Sequence, residues 1–579
     1  MSNEDCELLG KPEKTMDRRQ FLKLASALGI TLGAGSALAG CQSAPAQPTS
    51  APAPQAATAA PGAPAGVPTS TPAPVTGQAK RGGTLKFPVD ANVTPWPPIG
   101  LLQNLLVNKT IFNALCRYSA EDWSPQPDLA EKWEVSKDGL TWTFYLRKGV
   151  EWHDGKPFTS ADVKFTIELF KDPKVASSFR GNVLAIENVE IVDTHTVKMV
   201  TKSPNSALPE VLAYLIFMMP KHLLEGGDYT PTKFPEAFIN KPIGTGPFKF
   251  QEHVPGDHLT VVANEKYYEG RSYLDSIIFK IVRDGNSRVA QVKTGELDVA
   301  FPNLSQLAAL QGAANLTVVN RRRMDYRFLG AWYKNSKIGP FFSEKKFRQA
   351  LAYAIDAKGI IQQVTGGNAD RSNGPLPPAL KKWYVKDTPS FDYDPNKAGQ
   401  MLADLGFKKG ADGIMEKGGS KLSFECLTDS GQPDMIQATL IMQQNMRDIG
   451  IGMEVKPSEF NQVVDAYRVK NEFETISWLY VTPSSPDQST YWMTGSSLNH
   501  WTYSNTEIDS LYKEALSTFE EPKQKELYTK LYTILADDQP VNFLYHPHEF
   551  QAISKKVKGW PETHYRDCAL WLHKVWLEG

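Results

Sequence analysis

Cysteine is scarce, with five in 579 residues, and no two of them form a C-x-x-C pair. Without that spacing, neither a zinc ribbon nor a thioredoxin-like redox site is expected. Net charge is nearly absent too, at −1, so nothing in the charge balance points to nucleic acid. No G-x-S-x-G elbow and no P-loop occur, and His548-Glu549 begins an H-E-x-x-H match that fails at Ala552. Common signatures of hydrolases and nucleotide-driven enzymes are therefore missing. Paired carboxylates leave no such signature, so a secreted hydrolase stands as the rival class. The uncharged run 24–40 is diluted with Gly and Ser and is shorter than the roughly 20 strongly apolar residues of a membrane helix.

What is present reads as a soluble body of several domains. The chain is too long for one core, and 41% hydrophobic with 22% charged residues is ordinary for a globular protein. Aromatics reach 11%, which suits either thick cores or stacking surfaces.

The first 79 residues are an address and a spacer. Asp17-Arg18-Arg19-Gln20-Phe21-Leu22-Lys23 resembles a twin-arginine export signal, and Leu38-Ala39-Gly40-Cys41 resembles a lipobox. Residues 1–40 are thus expected to be a leader, with translation starting at Met16 or residues 1–15 extending it. Cys41 is expected to carry lipid and become the new N-terminus. Each buried acyl CH₂ contributes about 0.8 kcal/mol, so two or three chains would hold the protein on a membrane. Residues 41–79 are almost all Ala, Pro, Thr, Gln, Gly and Ser, too polar to offset their ordering entropy, and read as an extended tether. With Cys6 and Cys41 set aside, Cys116, Cys426 and Cys568 are left as buried thiols or as one disulfide and one thiol.

Residues 140–170 organise the body. Leu140, Trp142, Phe144 and Leu146 alternate with Thr141, Thr143, Tyr145 and Arg147, the pattern of a strand with one buried face. Gly149 ends it, and Val150, Trp152 and the Asp154-Gly155-Lys156-Pro157 turn predict a second short strand and a reversal. Thr159 and Asp162 have capping-box spacing ahead of a helix whose inner face is Val163, Thr166, Ile167 and Phe170. Nothing in this stretch is arranged for catalysis.

Taken whole, Ala130-Glu131-Lys132-Trp133, Asp138-Gly139-Leu140-Thr141-Trp142, Trp152-His153-Asp154-Gly155 and Phe158-Thr159-Ser160-Ala161-Asp162-Val163 resemble the signature of the family 5 extracytoplasmic solute-binding proteins of ABC importers, which includes oligopeptide, dipeptide and nickel receptors. The resemblance runs from about Gly82 to the C-terminus. It implies an α/β fold like that of periplasmic binding proteins: two hinged α/β lobes with an additional domain inserted in the first. The implied division gives lobe one residues 80–118, 241–325 and 541–579, the added domain 119–240, and lobe two 326–540. It also implies a monomer outside the cytoplasm, at the cell surface or in the periplasm. Such a protein binds a small solute or peptide and works with an ABC permease and ATPase, with no cofactor, no metal and no nucleic acid. A solute sensor on the same fold is the other alternative.

Local patterns agree with that layout. Residues 101–118 read as one helix with Leu105, Ile111 and Leu115 apolar. Residues 189–201 read as a hairpin with Val189 and Ile191 on one face. Gly244-Thr245-Gly246 lacks the third Gly of a phosphate loop and reads as a tight turn. Asp394, Pro395 and Gly406 bound a helix. Strand, helix and strand across residues 422–455 predict a parallel βαβ unit.

Ligands of such lobes sit at strand ends between the domains. The candidate is Thr475-Ile476-Ser477-Trp478-Leu479-Tyr480-Val481 and the loop to Asp487, followed by Tyr491-Trp492. In peptide-binding relatives this strand end carries an Asp that pairs with the peptide's α-ammonium; aligned on Trp478, that place holds Val481. Either Asp487 substitutes from the loop or the ligand has no free amino terminus there. Trp478, Tyr480 and Trp492 could stack on a ligand or pack the core, with Trp332 and Tyr333 facing them. Trp96, set among prolines, reads equally as a cleft residue or a packing anchor. Arg321-Arg322-Arg323 would suit an anionic ligand, but a run of one charge reads first as a solvated face. His546 and His548, with His564 and His573, show no metal-ligand spacing.

Overall fold

The computed structural model describes residues 79–89, 99, 105–175, 177, 179–213, 216–230, 233–563 and 565–578. The chain divides after Gly62, and every described residue belongs to the unit Ala63–Gly579. The expectations on the leader, Cys41, the tether, Trp96 and His564 fall outside the described residues.

Three sheets carry the body. In the first, Thr84–Val89 pairs in parallel with Ser276–Ile281, followed by His258–Ala263 and Phe248–Val254. Pro88, which has no N–H, is tolerated because Thr84–Val89 lies at the edge. Gly244 and Gly246 precede this sheet's last-ordered strand. A Cβ on Gly244 would stand 2.0 Å from the Ile111 carbonyl oxygen, and one on Gly246 2.5 Å from the Ile111 carbonyl carbon. These glycines serve close backbone packing, as the tight-turn reading requires.

The second sheet is antiparallel, in the order Ala130–Val135, Thr141–Leu146, Thr196–Thr201, Ile186–Asp193. Trp142, Phe144 and Leu146 are buried, and so are Val163, Ile167 and Phe170 of the helix Ser160–Lys171. Thr159 caps that helix in a full capping box with Asp162. The second short strand expected near Val150 shrinks to one bridge, Glu151 to Pro157. Val189 and Ile191 share one face, opposite Met199 and Val197, but only Val189 is buried; Ile191 is exposed on this edge strand.

One expectation needs a larger correction. Among the described residues of 101–118, only Leu105–Ile111 is helical, and Cys116–Tyr118 is a strand paired with Pro125–Pro127. All seven helix residues are buried, so tertiary packing rather than an amphipathic stripe sets its length.

The third sheet is the largest. Asn542–Ser554, 13 residues long, pairs at its start with Asp325–Ala331 and at its end with Leu316–Arg322 and Val299–Ala300. Beyond Asp325–Ala331 come Thr475–Val481, Ser423–Asp429 and Gly452–Ser458. Those last three run parallel, and the helix Pro433–Asp448 joins two of them, which is the βαβ unit read from the sequence. Phe424, Leu329, Leu351 and Met442 form a core on one face. Phe328, Tyr480, Trp501 and Leu531 belong to the larger core on the other. Each fully buried large side chain contributes about 1.5–3 kcal/mol. Cys116, Cys426 and Cys568 are all buried, Cys116 and Cys426 as free thiols.

Candidate functional site

The site starts from strand direction. Asp325–Ala331 follows Arg322, so its Asp325 end lies next to the end of the strand Leu316–Arg322. Asp325 pairs with Val481 and Ala331 with Thr475. The parallel strands point the same way, ending at Asp429, Ser458 and Val481. Carboxyl ends of the parallel strands thus gather at one edge of the sheet, the end where ligands usually bind in open α/β sheets.

Trp332 and Tyr333 are not brought there. They follow Ala331, at the opposite end of the same strand pair, about 3.3 Å per residue away. Trp332 stacks on Phe473, and the Tyr333 hydroxyl donates to the Pro540 carbonyl at 2.7 Å, with Arg348 over its ring. Antiparallel register, invisible in either segment alone, separates them from Val481.

Trp478 and Tyr480 share one face at the correct end. Trp478 lies between Phe460, itself 54% exposed, at 5.8 Å and Tyr467 at 5.5 Å. Tyr480 packs on Tyr491 at 4.8 Å, and the Tyr491 hydroxyl donates to the Val481 carbonyl at 3.4 Å. Trp492 is fully buried against Phe543, its indole N–H donating to Gln488.

Several residues here carried no sequence signal. Asp465–Lys470 is a π-helical turn closed by Asn471 in the left-handed region, an irregularity that often marks functional sites. It presents Arg468, exposed, whose Nε donates to the Tyr467 hydroxyl. Burial pushes the Tyr491 phenol up to about 12, with the Arg468 charge opposing the rise. His500 lies edge-on to Tyr467 at 5.3 Å, and burial, helped by Arg468, lowers its pKa to about 4. Its Nε2 is buried without a hydrogen-bond partner among the described residues.

Opposite charge comes from Asp487 and Glu210. Asp487 accepts the Ser489 backbone N–H at 3.0 Å, and burial raises its pKa. Glu210, on the helix Leu208–Ala213, is raised to about 7 by burial, with the Asp487 charge adding and Lys382 opposing. Its Oε2 is buried without a partner among the described residues. Tyr528 feels both carboxylates: burial first, then Asp487 and later Glu210, raise its phenol well above its usual value.

The basic run behaves less uniformly than expected. Arg322 is solvated and pairs with Asp370, and Arg323 pairs with Asp325. Arg321 overturns the solvated reading, because strand alternation turns it inward. Burial lowers its pKa, and its Nε and Nη2 find no partner among the described residues. His546 is buried beside the Asp325 carbonyl, with its pKa lowered to about 4 by burial, and His548 stands 2.9 Å from Asp370.

Of two cavities, one of about 250 Å³ is bordered by Ser423 and Gly452, the amino ends of parallel strands, and so lies away from the strand ends at Val481. The other, of about 20 Å³, has room for about one water and borders the loop after Val481, since its lining residues Pro375 and Tyr532 bond Thr482 and Pro486.

Comparison with known proteins places this geometry. The model for bacterial extracellular solute-binding proteins, family 5 Middle, matches residues 124–501. The chain is 31% identical to the oligopeptide-binding protein AppA of Bacillus subtilis over 460 residues, covering 78% of this chain and 83% of that protein. The structure of that AppA in complex with a nonapeptide superposes with a TM-score of 0.73 at 27% identity, over 87% of this chain and 100% of that one. NikZ from Campylobacter jejuni in complex with Ni(L-His) superposes with a TM-score of 0.73 at 29% identity, over 85% of this chain and 99% of that one.

Proposed function

The chain belongs to the bacterial extracellular solute-binding proteins of family 5, and from that premise we propose that it captures a short peptide between its lobes and delivers it to an ABC permease. It is a binding protein, not an enzyme, as its family is. The observation that carries the peptide reading is a separation of charge: Arg468 acts on Tyr480 and Tyr491, whereas Asp487 acts on Glu210 and both acids act on Tyr528. A zwitterion with apolar side chains suits that separation. Its carboxylate would meet Arg468 and its ammonium the two acids, while Trp478 and Phe460 offer stacking surface.

Val481 supports a detail of this reading. The acid expected at that position is missing, and a desolvated ammonium without a counter-charge costs on the order of several kcal/mol. Asp487 from the following loop, with Glu210 across from it, would supply the missing charge. Trp96 is proposed as a further wall residue.

The wider reading keeps the division into lobe one (80–118, 241–325, 541–579), added domain (119–240) and lobe two (326–540). Solute would favour the closed arrangement through contacts with both lobes. Lipid on Cys41 and the tether of residues 41–79 would hold a monomeric receptor at the membrane, with the permease and its ATPase as partners.

Non-denaturing mass spectrometry of the protein as purified from its host tests the ligand. A peptide mass released on unfolding, unchanged after prolonged incubation, is the expected result. Recovery of a neutral saccharide would overturn the peptide assignment, and its cleavage in solution would overturn solute capture itself.

A further inference from the structure

The sheet of residues 130–201 and the helices of residues 506–538 meet at a place away from the strand ends. Phe519, in the turn between the helices Thr506–Leu516 and Glu521–Asp538, lies against Trp142 with ring centroids 5.9 Å apart. It also covers Gly139, whose φ of +71° keeps the turn low; a Cβ there would stand 2.6 Å from the Phe519 ring and 3.0 Å from Pro204. Beside it, the Ser206 backbone N–H donates to the Leu516 carbonyl at 2.8 Å and the Ser206 hydroxyl to the Ala515 carbonyl at 3.2 Å. The Gln524 amide donates to the Ser206 Oγ at 2.7 Å, and to the carbonyls of Ala515 and Thr518 at 3.3 Å.

The two sides of this contact are anchored to different sheets. On the sheet side, His153 clasps the turn before Phe248: its backbone N–H donates to the Gly244 carbonyl at 2.9 Å, and the Gly244 N–H donates to its Nδ1 at 3.2 Å. The Lys249 ammonium donates to the His153 carbonyl at 3.3 Å. The sheet of residues 130–201 is therefore tied to the first-lobe strand Phe248–Val254. On the helix side, Tyr532 bonds the Pro486 carbonyl, and Tyr503 donates to Asp538 at 2.6 Å, so the two helices belong with the strand Thr475–Val481 and its loop.

We propose that the helix turn around Phe519 is a latch that holds the closed arrangement through contacts outside the ligand crevice. The proposal rests on the reading of the protein as a hinged solute-binding protein. Rotation about the crossings near Arg323 and Pro547 would lift Phe519 off Gly139 and Trp142 and part Ser206 from Gln524. Part of the closing free energy then comes from a surface no ligand touches, which sets how far the lobes close before solute arrives. Phe519 is 37% exposed, so its contact is weak enough to be reversible.

Hydrogen-exchange mass spectrometry and small-angle scattering of the full chain, with no ligand added, test this in the wild type, Phe519→Ala and Gln524→Ala. Loss of a partly buried Phe contact of about 1.4 kcal/mol corresponds to roughly tenfold faster exchange at Ser206. Phe519→Ala should show that acceleration and a larger radius of gyration, while exchange in Thr141–Leu146 stays at its wild-type rate. Gln524→Ala should move both readouts the same way by a smaller amount. Wild-type exchange at residues 203–206 with an unchanged scattering curve in both variants would overturn the latch. So would equal loosening of Thr141–Leu146, which would make Phe519 a core residue of that sheet. If the variants open as expected but no solute alters the wild-type shape, the latch stands and the capture reading fails.

Discussion

Arg322 and Asp370 meet through two charge-assisted hydrogen bonds of 2.8 and 3.1 Å, and the same carboxylate stands 2.9 Å from the His548 Nε2. Arg322 ends the strand Leu316–Arg322, and His548 is its register partner on the long strand Asn542–Ser554. One aspartate therefore ties the two paired strands together at the Arg322–His548 register. Burial would raise its pKa, but bonds from His548 and Arg322 hold the carboxyl well below the usual range.

Asp370→Asn should lower unfolding stability by about 1.5–3 kcal/mol, the range for hydrogen bonds to a charged group. A carboxyl depressed on folding contributes fully above its unfolded pKa of about 3.9 and loses that contribution as pH falls through lower values. Urea midpoints of the two proteins should therefore differ at pH 6 and converge toward pH 2. A constant gap over that interval would contradict the assignment.

Glu210 has the opposite sign. Its pKa is raised to about 7, chiefly by burial, so the folded protein keeps a proton that the unfolded chain releases. Stability from this group is full below about pH 4.3 and falls as pH climbs through 7. Glu210→Gln should match the wild type at pH 4 and melt at a higher temperature at pH 8. Superimposable melting curves at pH 8 would show that the carboxylate is solvated after all.

Arg468 should read the carboxyl end of a peptide. Arg468→Ala is expected to weaken binding of a free-acid nonapeptide roughly 10- to 100-fold, the loss of a charge-assisted pair. Amidating the peptide's C-terminus should weaken wild-type binding comparably and leave the variant unaffected. Titration calorimetry of the four combinations forms a double-mutant cycle, and strict additivity would remove Arg468 from the site.

Thr159→Ala should cost about 1 kcal/mol by stripping the capping box from Ser160–Lys171. Thr159→Ser should recover most of it. Peptide affinity should not change in either variant, because the cap lies far in sequence and packing from the strand ends. A shift in affinity with unaltered stability would be incompatible with a purely structural cap.

Local chemistry explains which expectations held. The Thr159 capping box, the left-handed Gly406 that ends a helix, and the Asp394 cap depend on neighbours within a few residues. Period-two alternation likewise marked Trp142, Phe144 and Leu146 because one face of that sheet is buried. Readings failed where a partner distant in sequence decides. Residues 105–118 split into helix and strand because Pro125–Pro127 captures Cys116–Tyr118. Arg321 turned inward because strand pairing, not local charge, orients it.

The site divides along the same line. The chain by itself determined the family, the strand that ends at Val481 and the loop bearing Asp487, since these are contiguous patterns of side-chain type. Tertiary structure alone decided that Trp332 stands at the far end of that strand pair, and that Arg468 and His500 join it beside Tyr480. It alone put Glu210, 277 residues earlier than Asp487, within reach of that charge. Register and the packing of distant elements are cooperative properties of the whole fold, and a single segment carries no record of which partner it will meet.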